Sequence, residues 1–149
     1  MLILHFIDTS ALLKLFVLEK GSVKMLHFAS TEDDRNKIVC TLTQVEATSA
    51  ICRLRKENRM SPAEATLALN LLANEARRLV LQPINTSVHD EAMALIDRHY
   101  LRALDALQLG SAIVARDRLA VTQMRLIASD KGLKDAALAE GFEVWDPCD

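Results

Sequence analysis

Short, wholly apolar runs and longer runs of helical period take turns along this chain. Leu2 to Ile7 is an apolar run closed by Asp8-Thr9-Ser10, the pattern of a strand buried on both faces. A helical pattern starts at Ala11-Leu12-Leu13-Lys14-Leu15-Phe16 and is broken by Gly21. A second amphipathic stretch runs through Val23, Met25, Leu26 and Phe28. The polar segment from Thr31 to Lys37 reads as a loop or frayed helix end, and Ile38 to Thr41 as the next strand. Thr43-Gln44-Val45-Glu46 has the form of a capping box opening a helix to about Asn58. Ser61-Pro62-Ala63-Glu64 repeats the signal with proline at the first helical position, and that helix continues to about Arg78. The pair reads as an antiparallel hairpin. Leu79 to Ile84 reads as a short strand. Ser87-Val88-His89-Asp90 opens a helix to about Tyr100, and Ala103 to about Arg116 is another. Arg125 to Ser129 reads as a strand, Asp130 to Glu140 as a helix ended by Gly141, and Phe142 to Trp145 as a last strand before Pro147.

Short strands separated by helices predict an α/β fold with a mainly parallel central sheet. With no linker-like stretch and no internal repeat, residues 1–149 read as a single domain. Composition narrows the class further. Half the residues are hydrophobic and 26% are charged, which excludes disorder and low-complexity arrays. Aromatics are only 4%, so the core must be aliphatic, and a base-stacking platform for single strands is disfavoured. The net charge of −2 gives no general attraction to nucleic acid, although a local basic strip remains open. Three cysteines, Cys40, Cys52 and Cys148, are odd in number and lack CxxC spacing, so they read as buried hydrophobes or reduced thiols. The apolar start lacks a basic leader, and no run approaches the ~18 residues of a membrane span. A cytoplasmic globular domain with no membrane association is expected.

Four acids stand out. In an open parallel sheet, ligand sites form beyond the carboxyl ends of the strands, and both Asp8 and Asp130 follow predicted strands. Each also suits a helix N-cap. Asp105 lies among Leu101, Leu104, Leu107 and Leu109. A carboxylate buried there must be paired, for which Arg98 or Arg102 would serve, or protonated, or bound to a cation. Glu46 has a local role in the capping box, yet the small residues Ala47 to Ala50 after it allow close approach of another element. If the four converge, their repulsion is relieved by a cation. Oxygen ligands without His or Cys suit Mg2+ or Mn2+, and such a site holds phosphates and activates water against them.

The segments Phe6-Ile7-Asp8-Thr9-Ser10-Ala11-Leu12-Leu13-Lys14-Leu15, Thr43-Gln44-Val45-Glu46, Leu101-Arg102-Ala103-Leu104-Asp105-Ala106-Leu107-Gln108-Leu109 and Ala128-Ser129-Asp130-Lys131-Gly132-Leu133 resemble, in order and spacing, the four acidic motifs of PIN-domain nucleases. The similarity extends over nearly the whole chain and is greatest to VapC-type toxins of toxin–antitoxin pairs. It implies a three-layer α/β/α domain, a Mg2+- or Mn2+-dependent endoribonuclease site, a homodimer, and a cognate antitoxin occupying a groove. Position by position, it implies catalytic and metal-binding roles for Asp8, Glu46, Asp105 and Asp130, with Ser10 at a supporting hydroxyl position. Gln108 stands where many relatives carry histidine, and Lys20-Gly21-Ser22 replaces a Pro-Gly-Ser turn. Asp117, Asp135 and Asp146 are nearby acids for which helix-surface or terminal roles are expected. Candidates for RNA contact are Arg53, Arg55, Lys56 and Arg59, with Lys131 and Lys134 beside Asp130. Two rival readings stand beside the toxin: a PIN-like module that only docks a partner, and a housekeeping RNA-processing nuclease.

Overall fold

A computed structural model of the chain describes residues 2–149. Five short strands form its centre: β1 (Leu4–Ile7), β2 (Lys37–Cys40), β3 (Val80–Gln82), β4 (Met124–Ile127) and β5 (Glu143–Trp145). All neighbours pair in parallel, in the order β3-β2-β1-β4-β5. The chain thus builds outward from β1 to β3, then returns to the other flank of β1 for β4. Beside β1 the strand order reverses, and beyond the carboxyl ends at such a reversal an open sheet leaves a crevice.

Helices cover both faces, in three layers. α1 (Thr9–Leu12), α2 (Ser22–Thr31), α3 (Thr41–Lys56) and α4 (Pro62–Ala76) bury Ala11, Met25, Ile51 and Leu72 against Ile7, Val39 and Ile127. On the other face, α5 (Thr86–His99), α6 (Ala103–Arg118) and α7 (Lys131–Ala139) bury Leu95, Leu109 and Leu133 against Phe6, Ile38 and Leu126. Adjacent strand residues such as Phe6 and Ile7 therefore serve opposite cores, which explains why β1 has no polar alternation. The core is aliphatic, as composition requires. α3 packs on α4 as the expected hairpin, and α5 packs on α6 closely enough that a Cβ on Gly110 would lie 3.2 Å from the Val88 carbonyl.

Ser61 caps α4 through its hydroxyl, 3.1 Å from the Glu64 N–H, and Gly141 follows α7 with φ +84. Several boundaries differ from the sequence expectation. α3 begins at Thr41 rather than Thr43, because β2 runs straight into it. Its cap is Cys40, whose sulfur accepts from the Leu42 N–H at 3.4 Å. The capping-box reading of Thr43 and Glu46 is therefore wrong, and Glu46 lies beyond the first turn with its side chain committed elsewhere. α5 is capped by Asn85, not Ser87, with 3.0 Å between Oδ1 and the Val88 N–H. The first helix is only one turn, tightening into a 3-10 turn at Leu13–Leu15, and another 3-10 turn, Asp34–Asn36, fills the polar segment before β2.

Candidate active site

The reversal beside β1 places two acids at one sheet edge. Asp8 leaves β1 and caps α1, accepting at Oδ2 from the Ser10 N–H (3.1 Å) and the Ser10 hydroxyl (2.6 Å). Asp130 follows β4 and caps α7, accepting at Oδ1 from the Leu133 N–H at 2.9 Å. Both capping roles foreseen for these residues are real. Each cap engages one oxygen of its carboxylate.

Glu46 reaches from α3 toward α1 and α6. Its Oε1 accepts from the Thr9 hydroxyl at 2.9 Å and from Gln108 Nε2 at 2.8 Å. Asp105 sits half-buried in the first turn of α6. It forms no salt bridge: Arg98 pairs instead with Glu140 and Glu91. Arg102 moderates the charge on Asp105 from a distance.

The four acids share one electrostatic neighbourhood. Burial pushes the Asp8 carboxyl up to about 6, against the Ser10 hydrogen bonds and with added repulsion from Glu46 and Asp105. Asp105 is raised as well, first by burial, then by Asp130 and Glu46. Among the described residues, however, no three His, Cys, Asp or Glu side chains are gathered closely enough to hold a metal ion. The fit to a divalent cation is therefore one of chemistry: hard carboxylate oxygens, and a mutual repulsion that a cation would relieve.

Three neighbours support these acids. The Ser10 hydroxyl, besides donating to Asp8, accepts the Ser129 N–H at 3.0 Å and so bridges the ends of β1 and β4. Gln108 is buried, its Nε2 also lying 3.0 Å from Thr43 Oγ1 and 3.1 Å from Thr9 Oγ1, while its Oε1 has no partner. The sequence flagged it only as a departure from the family pattern, although its i+3 spacing from Asp105 puts both on one helix face. Asp146 overturns its expected terminal role. It is buried, accepting at Oδ1 from the Ser129 hydroxyl (2.8 Å) and the Cys148 N–H (2.9 Å), and pairs through Oδ2 with Lys134. Burial alone would raise its carboxyl, but Lys134, the Cys148 N–H and Ser129 outweigh burial and bring it to about 2.

The basic candidates divide accordingly. Lys134 is neutralised by Asp146. Lys131 is exposed and pairs with Asp135 one turn on, at 2.7 Å. Arg53, Arg55 and Lys56 occupy the last turn of α3, and Arg59 lies just beyond, 3.8 Å from Glu57. A groove of about 670 Å3 runs elsewhere, between α2 and the edge strand β5, over Phe28 and Trp145. None of the four acids lines it. Among the described residues no helix is long and apolar enough to cross a membrane.

Helices on both faces of a parallel sheet, with Asp8 and Asp130 beyond the ends of β1 and β4 at its reversal, define a three-layer α/β/α domain. The chain belongs to the PIN domain family, whose model matches residues 5–138. The fold is shared with a toxin–antitoxin complex from Klebsiella pneumoniae at 20% identity and TM-score 0.61, covering 96% of this chain and 97% of that one. It is shared with FitAcB from Neisseria gonorrhoeae at 12% identity and TM-score 0.67, over 97% and 98% of the two chains. VapC20 of Mycobacterium tuberculosis, a sarcin–ricin loop cleaving toxin, matches at 14% identity and TM-score 0.64, over 93% and 95%. At such identities the likeness is one of fold. No curated protein gives a significant match.

Proposed function

We propose that this chain is a divalent-metal-dependent endoribonuclease and the toxin of a type II toxin–antitoxin pair. One observation carries the reading. Four carboxylates from four separate elements of a PIN domain converge electrostatically, and two of them are held at raised pKa with no paired cation. Asp8, Glu46 and Asp105 would hold Mg2+ or Mn2+, with Asp130 assisting or orienting the attacking water. The ion, when bound, supplies positive charge beside an RNA phosphodiester. The chain's own work is positioning. Ser10 fixes one oxygen of Asp8, while Thr9 and Gln108 fix one oxygen of Glu46. Arg53, Arg55, Lys56 and Arg59, with Lys131, would meet RNA phosphates approaching the acids.

A cognate antitoxin is supported by the Klebsiella relative, which is a toxin–antitoxin complex, and a homodimer by the family resemblance. A housekeeping RNA-processing nuclease would use the same site. One observation favours a third reading, a module that only docks a partner: the acids are not gathered into a ready cage.

Thermal unfolding of wild type and Asp105→Asn, with Mn2+ and with a chelator, separates these readings. At ~100 times its dissociation constant a ligand stabilises by about 2.7 kcal/mol. Mn2+ is expected to stabilise wild type and not the variant, and expression of wild type, but not of Asp105→Asn, is expected to arrest growth. Indifference of wild type to Mn2+ overturns the nuclease reading and leaves the docking module.

A further inference from the structure

We propose that Asp146 is a positioning residue of the acidic site, acting from the C-terminal tail through Ser129 and Ser10 on Asp8. The proposal rests on the metal-dependent reading above. Its basis is a set of hydrogen bonds joined through the Ser129 residue, whose hydroxyl donates to one side and whose backbone N–H donates to the other. The Ser129 hydroxyl donates to Asp146 Oδ1 at 2.8 Å, the Ser129 N–H donates to Ser10 Oγ at 3.0 Å, and the Ser10 hydroxyl donates to Asp8 Oδ2 at 2.6 Å. Because the Ser10 oxygen already receives the Ser129 N–H, its own proton is directed to Asp8. One oxygen of Asp8 is thereby fixed as an acceptor, and the other is left for a ligand.

A second arm leaves the same carboxylate. Asp146 Oδ2 pairs with Lys134 on α7, the helix whose N-cap is Asp130. Asp146 thus clasps the segment from Ser129 to Lys134 on both sides of Asp130. Both its oxygens are engaged, so it serves the site without being a ligand. Tail anchoring alone does not explain it. An apolar side chain would pack the tail more cheaply than a buried carboxylate, whose desolvation a half-buried lysine must offset. What the carboxylate adds is directional hold on Ser129, and outer partners of this kind tune metal affinity by about 10–100-fold.

The test is a Mn2+ titration of the full chain followed by thermal unfolding, for wild type, Ser129→Ala, Asp146→Ala and Asp146→Asn. The metal-free melting temperature of each variant separates lost stability from lost affinity. Ser129→Ala and Asp146→Ala are expected to weaken Mn2+ binding about 10-fold. Asp146→Asn retains an oxygen acceptor for Ser129 and is expected to restore most of that loss, even where its melting temperature stays low. Ser129→Ala is a small change, so the experiment survives if Asp146→Ala does not fold. Wild-type affinity in Ser129→Ala, or an Asn variant that binds as poorly as the Ala variants, overturns the proposal alone. A wild type that ignores Mn2+ overturns the nuclease reading and this proposal together.

Discussion

At the amino end of β2 a buried charge meets its opposite, whereas beyond the carboxyl ends of β1 and β4 two acids, Asp8 and Asp105, meet mainly likes, beside the single pair Asp146–Lys134. Lys37 is 1% exposed, yet its Nζ donates to Asp34 Oδ1 and to the Ala29 carbonyl, each at 2.8 Å. Asp34 also receives Arg78 Nε at 2.9 Å, while the buried His5, its pKa lowered first by burial, lies 3.4 Å from Glu32. The carboxyls there sit below their ordinary range, Asp34 through Lys37 foremost and Glu32 through Asn36 foremost. Asp8 and Asp105 are instead raised, burial leading in both. A fold that pairs its acids at one end of a sheet and leaves Asp8 and Asp105 without a paired cation at the other maintains an unfavourable arrangement there. That contrast, more than any single acid, is the ground for proposing a cation at the carboxyl edge.

The largest effect is expected at the paired end. Lys37→Met keeps the aliphatic stem but removes the buried one of Asp34's two cationic partners and takes the Lys37 hydrogen bond from the Ala29 carbonyl. A loss of about 3 kcal/mol is expected in urea unfolding. A loss below about 1 kcal/mol would show that the pair contributes little to stability and would erase the contrast.

At the other end the sign reverses. The folded chain holds the Asp8 proton up to about pH 6, while the unfolded chain releases it near 3.8. Between those values the folded state binds more protons, so stability falls as pH rises, and the full penalty is present above about pH 6. Asp8→Asn keeps a cap acceptor and escapes the penalty. In chelator it is expected to be more stable than wild type by about 2 kcal/mol at pH 7.5, with the difference vanishing toward pH 4. Mn2+ should remove the advantage by stabilising wild type alone. An Asn variant less stable than wild type at pH 7.5 in chelator would make Asp8 a structural acid like Asp34.

How far the sequence reached depends on how local each cause is. β1 and β4 were legible because a strand buried on both faces has no polar alternation, and Asp8 and Asp130 follow directly from where those runs stop. Ser61 was legible because its cap lies three residues from its partner. The start of α3 was misplaced because Cys40 caps through sulfur, an acceptor that turn and cap patterns do not weigh. Gln108 and Asp146 were beyond reach for a different reason. Their partners Glu46 and Ser129 lie 62 and 17 residues away, and only the fold brings them together.

The smallest effect on stability is expected at Lys131, and there the comparison turns on function. Its pair with Asp135 is exposed on both sides, 87% and 61%, so Lys131→Ala should change stability by less than about 0.5 kcal/mol. Lys134, one turn further along, is tied to Asp146 and unavailable to a phosphate, which leaves Lys131, adjacent to Asp130 and paired only with the exposed Asp135, as the α7 cation that a phosphate can recruit. If RNA enters along α7, Lys131→Ala should lower the slope of log affinity against log salt by about 1 in the Asp105→Asn background, where cleavage does not interfere. The variant would then separate a charge that matters to RNA from one that matters to folding, the reverse of Lys37. An unchanged slope places the approach of RNA on the basic end of α3 instead, and transfers the same measurement to Arg53, Arg55 and Lys56.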